Sequence, residues 1–342
     1  MKFGIEMHPV EGWLEYSRLA EKVGYDYLWH AADHSYADSG SALMLLALRT
    51  KRIKLGVGGN SVFLKHPVLI ASSTALVDEV SEGRAIAGLV SAGYEVTQKL
   101  DMKAEEPLKA CREAIEVIRA LWRGGPVNYD GDVFRLRKVE IPYRARPDIP
   151  IYLGTRGSKF ELVGEMCDGT FTHGKAPGYV EQMLKTIARG AEKAGRDPKK
   201  IETAISLPFK ITKSNRATEE YKKRLKPMVT AFISGEYSMD WIESLGFDVE
   251  EIYPIRGAKP EKRLEMVNER LLDRLIDAFA IVGTAEECID KIEALERAGV
   301  NQVITMMEPM IQTESIARKE HILSMGRKII PSFKEHRHIE RY

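Results

Sequence analysis

Cysteine is scarce: Cys111, Cys167 and Cys288 are three in 342 residues, widely spaced and odd in number. With no CxxC pair, they exclude a disulfide framework and give no zinc site. Charge of one sign is also lacking. Lys+Arg 51 against Asp+Glu 50 leaves +1, so there is no global basic field for nucleic acid. Long apolar runs are absent too; the densest, ALMLLAL over 42–48, is far too short to span a bilayer. The N-terminus reads directly as a strand, with no basic region leading into an apolar one. No segment is of low complexity. These absences predict a soluble cytoplasmic protein with no membrane or nucleic-acid partner and no metal.

What is present supports a large core. Hydrophobic residues make up 44% of the chain, and charged residues, at 30%, exceed the usual quarter, a bias seen in thermophiles. The length allows two ordinary domains or one α/β barrel. A repeated phrase favours the barrel. "LAEKVGYDYLW", "GAEKAGRDPKKIETAI" and "ALERAGVNQVI" each end a charged helix at a glycine (Gly24, Gly195, Gly299) and enter an apolar strand. Glycine past a helix end takes the left-handed conformation at little cost and turns the chain back toward a sheet.

Helix–Gly–strand repetition implies alternating β and α units and a parallel sheet. Strands are expected at Lys2–Glu6, Tyr25–His30, Ile53–Gly56, Ala85–Val90, Ile149–Gly154, Gly169–Thr172, Glu202–Ile211 and Asn301–Met306. Eight strands separated by helices favour a closed (β/α)8 TIM barrel, a single domain over 1–342. Two insertions break the pattern. Residues 123–147, with the turn-like YDGD and a basic flank, predict a hairpin; residues 213–280, rich in helix formers, are expected to cover the active-site face.

Catalytic groups of a barrel gather at the carboxyl ends of its strands. Strand one ends on Glu6, which is either a rim carboxylate or a working acid. Strand two runs into WHAADH, placing Asp33 and His34 just past the rim. His30 and His34 have a metal-binding spacing only on a helix, and this segment is strand and loop. Asp33-His34 reads as a capping turn or as a functional pair, and His173 as a loop residue or part of a pocket. The glycines around Gly58, Gly59 and Asn60 lack GxGxxG spacing, which excludes a Rossmann loop; adjacent glycines after a strand suit a bulge or a non-prolyl cis peptide. In GTRGSKFE, Ser158 with Glu161 has the spacing of a capping box, and the same helix start, with Arg156, could hold phosphate. Thr284 and Glu287 repeat the box as capping alone. Cys111 and Cys288 read as buried helix residues.

The segments KFGIE, AEKVGYDYLWHAADH, IKLGVGGNSVFLKHP, DEVSEGRAIAGL, IPIYLGTRG, CDGTF and DAFAIVGTAEECIDKIEALERAGV occur in order over nearly the whole chain. Together they resemble the bacterial luciferase-like superfamily of (β/α)8 oxidoreductases, and within it the archaeal methylene-tetrahydromethanopterin reductases, which use coenzyme F420. The resemblance implies hydride transfer between reduced deazaflavin and a methylene-pterin, with Glu6 as proton donor. It implies a cis peptide at Gly58-Gly59 behind the deazaflavin, in a loop that includes Asn60. Asp33 and His34 would contact the coenzyme, Gly154, Thr155, Arg156, Gly157 and Ser158 would bind its phosphate, and His173 would line the pocket. A homodimer or homotetramer is implied. One departure is Ser91-Ala92-Gly93-Tyr94, where reductases carry Gly-Pro-Gly-Asp. Three other readings stay open: an F420-dependent alcohol or hemiacetal dehydrogenase with His34 or His173 as base, an FMN-dependent monooxygenase, and a non-catalytic barrel.

Overall fold

Parallel pairing runs unbroken round a ring of eight strands. In chain order these are β1 (Lys2–Met7), β2 (Tyr27–His30), β3 (Lys54–Val57), β5 (Ala85–Val90), β8 (Ile151–Gly154), β9 (Gly169–Thr172), β10 (Glu202–Ile211) and β12 (Gln302–Met306). Each pairs with the next, and β12 closes on β1 through the register Lys2↔Gln302 to Ile5↔Thr305. The computed structural model describes residues 1–9, 11–31, 38–91, 100–143, 145–234, 239–306 and 315–334. All eight expected strands are in the ring. The helix-ending glycines Gly24, Gly195 and Gly299 have φ of 102°, 65° and 99°, the left-handed turn that their position requires.

Strand three differs from its expectation. It breaks after Val57 and resumes as β4 (Asn60–Ser61), which pairs with β5 through Asn60↔Leu89 and Ser61↔Val90. Between the two pieces lies a cis peptide, Gly58-Gly59. The glycine-rich run hides this short strand from a pattern reading, because two residues carry no period.

The first insertion is an antiparallel hairpin of β6 (Val127–Asp130) and β7 (Arg135–Val139). The second holds α7 (Asn215–Ser234), α8 (Met239–Ser244), α9 (Val249–Gly257), α10 (Pro260–Met266) and α11 (Glu269–Phe279), followed by β11 (Ile281–Gly283). β11 pairs with the far end of β10, beyond the ring. Helix α11 buries Leu271, Leu272, Leu275, Ile276 and Phe279 on one stripe, so it packs rather than floats.

Side chains alternate across each barrel strand, giving two cores. The outer one lies between strands and helices and takes Phe3, Ile5, Leu28, Leu55, Leu89 and Leu153. An inner plug is built from Tyr27, Trp29, Ile86, Tyr152, Ala204 and Ile304, with Phe171 packed against it. The Trp29 indole dominates the plug, standing 5.4 Å from the Tyr152 ring and 5.5 Å from that of Phe171. It fits because β3 carries glycine opposite: a Cβ on Gly56 would stand 2.5 Å from the indole. Below the plug, Glu202 accepts 2.8 Å hydrogen bonds from the hydroxyls of Tyr27 and Tyr152 and pairs with Lys2. Bonded to one another, these four side chains close the amino-terminal end of the barrel. No helix among the described residues is long and apolar enough to cross a membrane.

Candidate active site

On β1 the inward parity that carries Lys2 and Gly4 reaches Glu6 at the carboxyl end. Its side chain is recessed, 17% open to the cavity. The two carboxyl oxygens have different neighbours. Ser206 Oγ donates to Oε2 at 3.2 Å, and Oε1 lies 3.3 Å from Nε2 of His8. Burial disfavours the carboxylate and pushes the pKa up to about 7, the Ser206 hydrogen bond opposing in part. Glu6 is thus an acid able to hold a proton near neutral pH and release it there.

Ser206 arrives by the same alternation. On β10, Glu202, Ala204 and Ser206 share the inner face, one each for the floor, the plug and the rim. The carbonyl of Ser206 accepts a 3.0 Å hydrogen bond from Nδ1 of His173, just past β9. A carbonyl only accepts, so the proton sits on Nδ1, and Nε2 is left as the acceptor. Burial and the nearby Arg156 cation hold the His173 pKa down at about 4 despite the Ser206 bond, so the ring is neutral at working pH.

The long insertion supplies the wall behind His173. Phe232 of α7 stacks on the imidazole at 5.2 Å, and Phe279 backs Phe232 at 5.1 Å. Trp241 of α8 lies under the Arg156 guanidinium, 5.0 Å from its centre to the ring. Helices α7 and α8 thus pack against His173 and Arg156, at the carboxyl ends of β9 and β8. Ser206, His8, Phe232 and Trp241 were not among the expected site residues. Strand parity could have found the first two; the aromatics give no signal inside a helical insertion.

The other expected residues fall as follows. Gly58 is uncrowded, a Cβ there coming into ordinary contact with the His30 carbonyl oxygen at 3.9 Å and Trp29 Cβ at 4.0 Å. Gly59 is packed tightly, since a Cβ would stand 2.9 Å from the Phe171 ring and 3.0 Å from the Leu89 carbonyl carbon. Asn60 is buried and turns its side-chain oxygen to Ser39 Oγ at 2.6 Å, so it ties β4 to α2 (Ser39–Arg49). Thr155 and Arg156 follow β8, and Gly157 and Ser158 lie in a 3-10 turn before α5 (Phe160–Met166). The capping box expected at Ser158 is not formed. The helix starts two residues later without a side-chain cap, and Glu161 is drawn outward to Arg189 and Lys193. The box at Thr284 and Glu287 is present. His30 is buried on the opposite face of β2 from Trp29, away from Glu6. Asp33 and His34 lie outside the described residues, as do residues 92–94 of the run after β5. Cys111, Cys167 and Cys288 are all buried and unbonded to one another.

Several known proteins are similar to this chain. Residues 6–302 match the family described as luciferase-like monooxygenase. The chain is 33% identical over 309 residues to the 5,10-methylenetetrahydromethanopterin reductase of Methanolobus tindarius, covering 89% of this chain and 93% of that one. It is 32% identical to the enzyme of the same name from Archaeoglobus fulgidus, covering 98% and 100%. The solved structure of the coenzyme F420-dependent tetrahydromethanopterin reductase of Methanopyrus kandleri superposes with a TM-score of 0.84 at 28% identity, over 97% of this chain and 99% of that one. A match that runs from Glu6 on the first barrel strand to Gln302 on the last leaves one conclusion: the chain belongs to the luciferase-like monooxygenase family.

Proposed function

We propose that this chain is a coenzyme F420-dependent oxidoreductase acting on a 5,10-methylene-tetrahydropterin, in the manner of the reductases it is similar to. The observation that carries the reading is Glu6: a recessed carboxyl, with its pKa raised to about 7, at the carboxyl end of the first strand. Reduction of a methylene group bridging two nitrogens requires one C–N bond to open, and the leaving nitrogen needs a proton as it departs. An acid with a pKa near working pH suits that step. When bound, the deazaflavin supplies the hydride that converts the resulting iminium carbon to a methyl group.

The residues present fit such a coenzyme. Gly58 carries no side chain and is not tightly crowded, so its backbone could back a planar ring. Arg156, with the backbone N–H groups from Gly154 to Ser158, suits its phosphate. His173 offers a neutral acceptor nitrogen, and its plane is fixed by Ser206 and Phe232. A histidine with a pKa of about 4 is a weak base. This disfavours His173 as the group that would take a proton from an alcohol. The chain forms one barrel domain whose long insertion walls the site.

Titration of the purified protein with F420 and with FMN, followed by coenzyme fluorescence, tests the reading. F420 is expected to bind, and its reduced form to be oxidised by methylene-tetrahydromethanopterin. Binding of FMN alone sinks the assignment. Glu6→Gln should retain coenzyme binding and lose about 100-fold or more in turnover, the usual scale for a general acid.

A further inference from the structure

One acceptor at the site is held in place and left unused. His173 gives its Nδ1 proton to the Ser206 carbonyl at 3.0 Å, and the hydroxyl of the same Ser206 reaches Glu6 at 3.2 Å. Imidazole and acid are thus registered through one residue of β10. Phe232 stacks on the imidazole at 5.2 Å and Phe279 backs Phe232, so the ring is fixed in plane as well as in tautomer. Its Nε2 has no hydrogen-bond partner among the described residues and is not sealed from solvent. Burial and the Arg156 cation keep that nitrogen free of a proton at neutral pH. The result is a lone pair aimed in one direction, with its orientation set before any ligand arrives.

Few ligand groups suit such an atom. It accepts and cannot donate, so carbonyl oxygens, carboxylates and ionised phosphate are all mismatched to it. The deazaflavin and the pterin of the functional reading each carry a lactam, whose N–H donates in the plane of the ring. We propose that His173 is a specificity-determining residue that accepts a lactam N–H of the bound ring at Nε2 and so orients that ring relative to Glu6. The identity of the ring rests on the functional reading above. A ligand without the N–H would bury Nε2 with no donor, and a site built on a hydrogen bond rejects such a ligand more sharply than an apolar pocket does.

The test is a cycle that pairs a change in the ligand with a change in the protein. The probes are F420 and its lactam N-methyl derivative, followed by fluorescence, and methylene-tetrahydromethanopterin and its lactam N-methyl derivative, followed by calorimetry. For one of the two pairs, wild type should bind the N–H form about tenfold or more tightly than the methylated form. In His173→Phe, which keeps a ring against Phe232, that preference should shrink at least fivefold. The pair that responds identifies which ring supplies the N–H. Preferences that are the same in wild type and variant for both pairs overturn the proposal, because a purely steric cost of the methyl group would survive the substitution.

A second measurement needs no variant. Nitrogen NMR of His173 in wild type should show Nε2 as an unprotonated nitrogen in the free protein, moving upfield when the responding ligand saturates the site, with Nδ1 protonated throughout. An Nε2 signal that neither ligand moves also overturns the proposal. A protein that binds and turns over F420 while His173 stays indifferent fails this inference alone. Binding of FMN in place of F420 fails the functional reading instead; the flavin carries the same lactam N–H, so FMN and its N-methyl form then put His173 through the same cycle.

Discussion

Ser206 Oγ reaches Glu6 Oε2 at 3.2 Å across the strand that lies between β10 and β1, joining residues 200 positions apart. The bond opposes the effect of burial on the Glu6 carboxyl. Its removal in Ser206→Ala should therefore raise the Glu6 pKa further above 7. Because the protonated form is the working acid, the alkaline limb of the reduction rate should move to higher pH, by about one unit for a hydrogen bond worth roughly 1.4 kcal/mol. A pH–rate profile of kcat/KM checks this; a limb that moves down contradicts the assignment of Glu6 as the acid.

The same burial has a cost in stability with a definite sign. Glu6 has a folded pKa of about 7 against the ordinary 4.5, so the fold prefers it protonated. The favourable contribution is complete below pH 4.5 and disappears as pH rises through about 7. Glu6→Gln should match wild type at pH 4 and exceed it by about 3 kcal/mol at pH 8, on the scale of 1.4 kcal/mol per pKa unit. Urea unfolding at the two pH values measures the difference. An equal gain at both would assign the effect to packing instead.

Much of this frame was legible from the chain alone, because alternation and helix-ending glycines are local signals. Eight strands, the hairpin at 127–139 and the role of Gly24, Gly195 and Gly299 follow from them. What escaped depends on three-dimensional neighbours. Ser206 is a plain strand residue until the ring closes β10 near β1, and Phe232 and Trp241 belong to helices whose docking no period announces. Ser158 shows the opposite error. Its spacing to Glu161 satisfies a capping rule, yet two cations on α6 (Pro177–Lys193), Arg189 and Lys193, outcompete the backbone for that carboxylate.

The indole of Trp29 leaves little room for a side chain on the neighbouring strands. In Gly56→Ala the added methyl would stand 2.5 Å from the ring, whereas in Gly4→Ala it would stand 3.1 Å away. Trp29 is buried, so the collision cannot be relieved by swinging the ring into solvent. Gly56→Ala should lose about 3 kcal/mol of stability, the upper range for overpacking, and Gly4→Ala less. Comparable denaturation midpoints for the two would show that the plug yields easily.

Arg156 acts on two partners, and its loss should register on both. It stands over Trp241, and its charge is the second cause, after burial, of the low His173 pKa. In Arg156→Gln the His173 midpoint should rise from about 4 yet stay below the ordinary 6.5, since burial remains. If Arg156 also holds the coenzyme phosphate, F420 should bind at least tenfold more weakly, on the scale of about 1.5–3 kcal/mol for a charged hydrogen bond, with a smaller dependence on salt. Histidine NMR and fluorescence titration separate the two effects.

One buried carboxylate accepts three backbone hydrogen bonds from the tip of the first insertion. Glu113, buried on α4 (Pro107–Arg123), accepts 2.9 Å hydrogen bonds from the backbone N–H groups of Asp132, Val133 and Phe134 at the tip of the hairpin. Gly131 lies so close to that carboxylate that a side chain there would collide with it. Glu113→Ala leaves three amides without their acceptor. Where water cannot replace it, each lost bond costs on the order of 1 kcal/mol. Amide exchange at 132–134 should accelerate more than 100-fold while exchange in β1 and β10 stays within a few-fold of wild type. Uniform acceleration across the barrel would mean that Glu113 supports the whole fold rather than the hairpin, and unchanged exchange at 132–134 would mean that the turn holds itself.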